Sequence, residues 1–174
     1  MLLMEKVTIL SVIDTTTDKV TATISVGSDP AGVVISPNGT KVYVANAHSN
    51  DVSVIDTATN NVTSTVPVGS SPQGIAVSPN GKKVYVANLG GNTVSVIDTT
   101  SNSVISTVKT GRNPAGVAVS PDGKKTYVTN YGDKTVSVIQ YSYKRGCSHG
   151  IRRERSQGNY GHTRRNKGVC SKLR

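Results

Sequence analysis

One segment of this chain is written three times at a constant spacing. Ser11-Val12-Ile13-Asp14 returns as Ser53-Val54-Ile55-Asp56 and Ser95-Val96-Ile97-Asp98, and Ser137-Val138-Ile139 opens a fourth copy that stops at Gln140. Gly27, Gly69 and Gly111 keep the same step, as do Pro37, Pro79 and Pro121, then Tyr43, Tyr85 and Tyr127, then Asn46, Asn88 and Asn130. A fixed period of roughly 40 to 45 residues marks stacked supersecondary units, none of which can bury its apolar face alone. Such a chain is an array rather than a domain built around one site.

Each period holds four short apolar runs, in the second copy Val52 to Ile55, Val62 to Val68, Gly74 to Val77 and Val84 to Val86. They are rich in Val, Ile, Thr and Tyr, which suit a pleated, half-buried surface, and none is long enough for a helix with an apolar stripe. The gaps carry turn residues: Asp56 to Asn61, Gly69 to Pro72, Ser78-Pro79-Asn80-Gly81-Lys82 and Asn88 to Asn92. In the third gap proline presets φ at the second position and glycine accepts positive φ. Four antiparallel strands per repeat describe a blade of an all-β propeller.

Tyr43-Val44-Ala45-Asn46, Tyr85-Val86-Ala87-Asn88 and Tyr127-Val128-Thr129-Asn130 each follow a Ser-Pro-Asn/Asp-Gly turn and precede a Ser-Val-Ile strand. With that context, positions 11–139 resemble the YVTN family of β-propeller repeats. The resemblance implies that the glycine-containing strands (31–36, 73–78, 115–120) are innermost, followed outward by the Tyr strand, the Ser-Val-Ile-Asp strand and the Asn-Val-Thr-Ser-Thr strand. Residues 30–69 and 72–111 then form two complete blades, 11–26 the outer strands of an earlier one, and 114–139 the inner three strands of a later one. Propellers close with four to eight blades, so this incomplete ring is expected to need other propeller blades or copies of itself as partners.

The formal charge is +10, which for a whole domain would raise nucleic acid as a partner. The charge is not evenly spread. Residues 1–139 hold ten Lys or Arg against nine Asp or Glu, whereas 140–174 hold ten against the single Glu154. Both cysteines, Cys147 and Cys170, lie in this tail beside His149 and His162, but their spacing fits no paired-ligand zinc pattern.

The genetic code explains the tail better. Read one base later, allowed codons place proline at position 163, glycine at 165, tyrosine at 169 and asparagine at 172, each one full repeat beyond Pro121, Gly123, Tyr127 and Asn130. The tail thus reads as a frameshifted fourth repeat and is expected to be disordered. Shifted codons for Met1 to Met4 likewise spell the Tyr-Val-Ala-Asn motif, which makes residues 1–10 an out-of-frame start segment. The chain is accordingly organised as 1–10, the repeats at 11–139 and the basic tail at 140–174.

Nothing in the repeats assembles a catalytic, cofactor or metal set. His48 stands where the other copies have Gly90 and Gly132, the behaviour of a solvated loop residue. Asp14, Asp56 and Asp98 are expected to cap hairpin turns through the local backbone, Tyr43, Tyr85 and Tyr127 to pack between blades, and Asn46, Asn88 and Asn130 to serve as turn residues. Asn38-Gly39-Thr40 and Asn61-Val62-Thr63 match the glycosylation acceptor pattern. Glu5 and Lys6 interrupt the apolar start, so no signal peptide is expected, and no segment reaches the roughly 20 apolar residues of a membrane span.

These readings converge on a non-enzymatic repeat or interaction module. The family resemblance implies a fragment of a cell-surface or envelope propeller, akin to archaeal surface-layer and surface-antigen proteins, whose partners are envelope proteins or glycans. The alternative is nucleic-acid or anionic-surface binding through the tail, although the tail lacks aromatic stacking platforms on a strand scaffold.

Overall fold

The computed structural model describes residues 8–141 and 151–155. All its regular elements are strands: β1 (Ile9–Asp14), β2 (Lys19–Ser25), β3 (Pro30–Ile35), β4 (Lys41–Asn46), β5 (Asp51–Asp56), β6 (Asn61–Pro67), β7 (Pro72–Val77), β8 (Lys83–Asn88), β9 (Thr93–Asp98), β10 (Ser103–Lys109), β11 (Pro114–Val119), β12 (Lys125–Asn130), β13 (Thr135–Tyr141) and β14 (Ile151–Arg155). They form a two-stranded sheet, β1-β2, and three four-stranded antiparallel sheets, β3-β4-β5-β6, β7-β8-β9-β10 and β11-β12-β13-β14. These sheets are propeller blades, and the ring they begin is not closed.

Every strand pairs with its neighbour in sequence, as short hairpin connections demand. The register repeats too, with Tyr43 opposite Val54, Tyr85 opposite Val96 and Tyr127 opposite Val138. At each Ser-Pro-Asn/Asp-Gly turn the glycine N–H donates to the serine carbonyl at 2.8 Å. Gly39, Gly81 and Gly123 there take φ of 72°, 70° and 68°, a region in which a side chain is strained. The other outer turns place Asp18, Asn60 and Asn102 at positive φ, where Asn and Asp are the tolerated non-glycine residues.

Strands β3, β7 and β11 lie side by side at the inner edge. A Cβ on Gly32 would strike the Gln73 carbonyl, and one on Gly74 the Ala115 carbonyl. Glycine is what lets these strands approach backbone to backbone.

The core consists of three layers between sheets. Leu10, Val12 and Ile24 pack against Val42, Val44 and Ile55. Tyr43, Ala45, Val52 and Val54 pack against Val84, Val86 and Ile97, and Tyr85, Val94 and Val96 against Val128 and Ile139. Alternate residues of one strand thus face opposite neighbours, so β4, β5, β8 and β9 are buried on both faces.

Two details differ from the sequence reading. Ile9 and Leu10, assigned to the start segment, belong to β1. Ile151–Arg155, in the tail expected to be disordered, forms β14 along the free edge of β13, since an unpaired edge is a template for any extended segment. Its register is out of step. Ser95 faces Thr107 in the second full blade, and one repeat on Ser137 faces Arg155 instead of position 149. The two cysteines and the histidines between them lie outside the described residues.

Candidate functional site

The β4–β5, β8–β9 and β12–β13 turns share one rim with the connections that lead from each blade to the next. Leu89 N–H donates to Ser71 O at 2.9 Å and Gly90 N–H to Ser70 O at 3.1 Å, and Tyr131 and Gly132 repeat the pattern on Asn113 and Arg112. Neighbouring blades are tied across the same rim. Asn50 Oδ1 accepts from Ser71 N–H and Asn92 Oδ1 from Asn113 N–H, both at 2.8 Å. On this fixed scaffold the turn sequences diverge: Ala47-His48-Ser49, Leu89-Gly90-Gly91 and Tyr131-Gly132-Asp133. Tyr131 is the most prominent, 79% exposed, beside an open groove of about 810 Å³ lined by Ala115, Thr129, Lys134 and Val136.

Asn46, Asn88 and Asn130 are not surface turn residues. They end β4, β8 and β12 with side chains 0%, 0% and 2% exposed. The Asn88 amide donates to Thr93 Oγ1 at 3.0 Å and Ser95 Oγ at 2.9 Å. Asn130 does the same to Thr135 and Ser137, and Asn46 to Asp51 and Ser53. Each asparagine therefore pins the second strand of its blade to the third. Gly27, Gly69 and Gly111 cap this node, for a Cβ on any of them would come within 2.4 to 2.8 Å of neighbouring side-chain atoms that include the asparagine's. Sequence reasoning missed the node, although the serine that recurs at a fixed offset after each asparagine was its visible trace.

Asp14, Asp56 and Asp98 stand on the outer hairpins. Asp56 Oδ1 accepts from Ala58 N–H at 3.1 Å and Thr59 N–H at 2.9 Å. Asp14 and Asp98 make the same pair of bonds. These bonds, led by the backbone N–H of Thr17, Thr59 and Ser101, hold the three carboxyls below the usual carboxylate range. The arrangement is that of an Asx turn, with the carboxylate lone pairs directed at backbone.

On the opposite rim, Pro37 and Pro79 lie against the turn glycines of the following blade, Gly81 and Gly123. Between the first two of these turns lies a cleft of about 290 Å³ bordered by Pro37, Lys41, Tyr43, Pro79, Lys82 and Thr99. Lys41 Nζ spans it to Thr99 O at 3.4 Å. Burial pushes the Tyr43 hydroxyl above its ordinary pKa. Pro121, the third member, has no following blade among the described residues.

The repeat sequence matches the YNCE-like beta-propeller family over residues 36–125, more than half of the chain. The chain belongs to that family. Among solved structures, this YNCE-like chain is similar to Kuenenia stuttgartiensis hydrazine synthase, at 31% identity and a TM-score of 0.72, over 87% of this chain and 45% of that one. It is also similar to a functionally unknown protein from Desulfotomaculum acetoxidans, at 25% identity and a TM-score of 0.67, over 82% of this chain and 47% of that one. The YNCE-like chain thus spans less than half the length of either neighbour. No curated protein matches it by sequence. Among the described residues no helix is long and apolar enough to cross a membrane.

Proposed function

We propose that this YNCE-like segment is a non-enzymatic interaction module of a cell-surface or envelope propeller, and that it presents its recognition residues on the rim of β4–β5, β8–β9 and β12–β13 turns. The observation that carries the reading is the contrast between the rim's uniform backbone bonding and its divergent residues 47–49, 89–91 and 131–133. Variable loops on a rigid scaffold are where binding residues concentrate. The resemblance of the Tyr-Val-Ala-Asn strands to YVTN repeats supports an envelope setting, by analogy of fold family alone. Envelope proteins or glycans are the partners this reading favours.

The test replaces His48-Ser49 and Tyr131-Gly132-Asp133 by the Gly-Gly and Leu-Gly-Gly of the middle blade and measures binding to purified cell envelopes by co-sedimentation. Retained folding with lost binding is the expected result. Undiminished binding by the loop-levelled variant would refute the rim as the recognition surface.

A further inference from the structure

The cleft between the β3–β4 and β7–β8 turns lies between two complete four-stranded blades, and its polar groups are mostly donors. Asn38 Oδ1 accepts from Ser36 Oγ at 2.7 Å and Thr40 Oγ1 at 3.0 Å, and Asn80 Oδ1 from Ser78 Oγ at 2.8 Å and Lys82 N–H at 3.1 Å. Ser36 Oγ in turn accepts from Lys41 N–H at 2.9 Å. The turns therefore consume the amide oxygens and leave the NH2 groups of Asn38 and Asn80 to donate. Lys41 Nζ gives one N–H to Thr99 O at 3.4 Å and keeps two, and the exposed Lys82 adds a second ammonium. Tyr43 also lines the cleft, yet it is 1% exposed and its hydroxyl has no hydrogen-bond partner among the described residues. A buried polar group without a partner is costly and calls for one. Among the described residues no carboxylate lines the cleft, since Asp56, which faces Lys41 across β4 and β5, directs Oδ1 into its own Asx turn.

We propose that this cleft binds one oxyanion group, either a free inorganic oxyanion or the carboxylate or sulfate of an acidic sugar residue, with Lys41 and Lys82 supplying the charge and the Tyr43 hydroxyl and the Asn38 and Asn80 amides donating to it. Hydrogen bonds to an ionised acceptor are the strong ones, and such a ligand brings the acceptors that the cleft lacks. Its volume of about 290 Å³ is at the small end of the roughly 300 to 1,000 Å³ of ligand pockets, room for one group or one sugar ring rather than a chain. The rings of Pro37 and Pro79 give it apolar walls. Two ammoniums neutralise too few charges to retain a polyanion, which separates this cleft from the basic tail. The inference goes beyond the recognition rim, which lies at the other end of these strands, and stands on the cleft's own donors.

The next blade boundary supplies a built-in contrast. Asp122 stands one repeat after Asn80 and accepts the same two bonds, from Ser120 Oγ at 2.6 Å and Lys124 N–H at 3.0 Å. Its Oδ2 lies 3.9 Å from Lys124 Nζ, and Lys124 is the counterpart of Lys82. There a carboxylate replaces the amide donor and draws on the ammonium, so an incoming oxyanion meets a like charge. The turn itself is unchanged, which shows that aspartate is tolerated at this position.

The experiment titrates the full chain with sodium glucuronate, sodium sulfate and uncharged glucose at constant ionic strength, following backbone and side-chain amide signals by NMR. Saturable shifts of the Asn38 and Asn80 NH2 signals with glucuronate or sulfate, and none with glucose, are the expected result. Tighter binding of glucuronate assigns the site to an acidic sugar, and sulfate binding at least as tight assigns it to a free oxyanion. Tyr43→Phe keeps the packed ring and Asn80→Asp keeps the turn, and each is expected to raise the dissociation constant by about tenfold with the rest of the spectrum unmoved. Lys82→Gln, on an exposed side chain, is expected to do the same without touching a packed residue. Shifts that track ionic strength alone, that appear equally with glucose, or that persist undiminished in all three variants overturn the inference. None of these variants alters the turns of the recognition rim, so binding to envelopes and binding in the cleft stand or fall separately.

Discussion

Gly69 lies flush on the side-chain amide of Asn88, so close that a Cβ on the glycine would sit 2.5 Å from Asn88 Nδ2. The connection between two blades thus closes over the polar node of the second, and the two positions must change together.

Gly69→Ala is expected to destabilise the chain by about 1 to 3 kcal/mol through overpacking. Asn88→Ala should cost about 1 to 3 kcal/mol by stranding the buried Ser95 hydroxyl and the half-buried Thr93 hydroxyl. Because removing the amide makes room for the new methyl, the double variant should cost less than the sum, by about 0.5 kcal/mol or more. Urea melts of the four proteins form the cycle, and strict additivity would show that glycine and amide do not touch.

The tyrosines separate stability from recognition. Tyr85, enclosed by Val94, Val96, Val128 and Ile139, is expected to lose about 3 to 5 kcal/mol on conversion to Ala. Tyr131→Ala, on the exposed rim, should change stability by no more than about 0.5 kcal/mol while weakening envelope binding. Thermal melts paired with co-sedimentation read both, and a large melting shift for Tyr131→Ala would contradict its placement.

Acid should loosen the outer hairpins. Asp14, Asp56 and Asp98 have folded pKa values lowered by backbone hydrogen bonds, so the fold favours their ionised forms. That stabilisation is complete above the unfolded value of about 4 and fades as pH falls through the lower folded values. Asparagine at all three sites keeps the turn-forming acceptor but cannot titrate. The triple Asp→Asn variant should therefore show a flatter decline of melting temperature between about pH 4 and pH 2 than the parent. Parallel declines would mean the carboxylates are not the source.

Polyanion binding should reside in the tail. Residues 1–139 carry ten basic and nine acidic side chains, too balanced to release many counterions on contact with DNA or heparin. Removing residues 142–174 is expected to abolish retention on a heparin column at about 0.1 M salt, since such retention scales with the phosphates or sulfates neutralised. A truncated chain that still binds would place the polyanion site on the blades.

Much of this architecture is legible in the residues themselves. Strand identity follows from Val, Ile, Thr and Tyr runs too short for helices, whereas the strand order comes only from the resemblance to YVTN repeats, and the close backbone approach at Gly32 and Gly74 fits it. The asparagine node was not legible from one copy, because a polar residue at the end of a strand looks the same whether it caps a turn or points inward. The deciding information lies across the hairpin, in Ser53, Ser95 and Ser137. Nor could β14 be read from the sequence: Ile151–Arg155 has no phase in the repeat, and its pairing reflects the open edge of β13 rather than any preference of its own.

Every sheet in the molecule is a meander in which each strand lies beside the one synthesised just before it. Contact order is therefore low for an all-β protein, and closing the hairpins requires no long loop to find its end. The hairpins of a blade can close as soon as its own repeat has left the ribosome, and the blade is secured when the next one packs on its face. The sameness that makes this growth fast also leaves the chain little means, beyond its end faces, of telling its own next blade from a neighbour's.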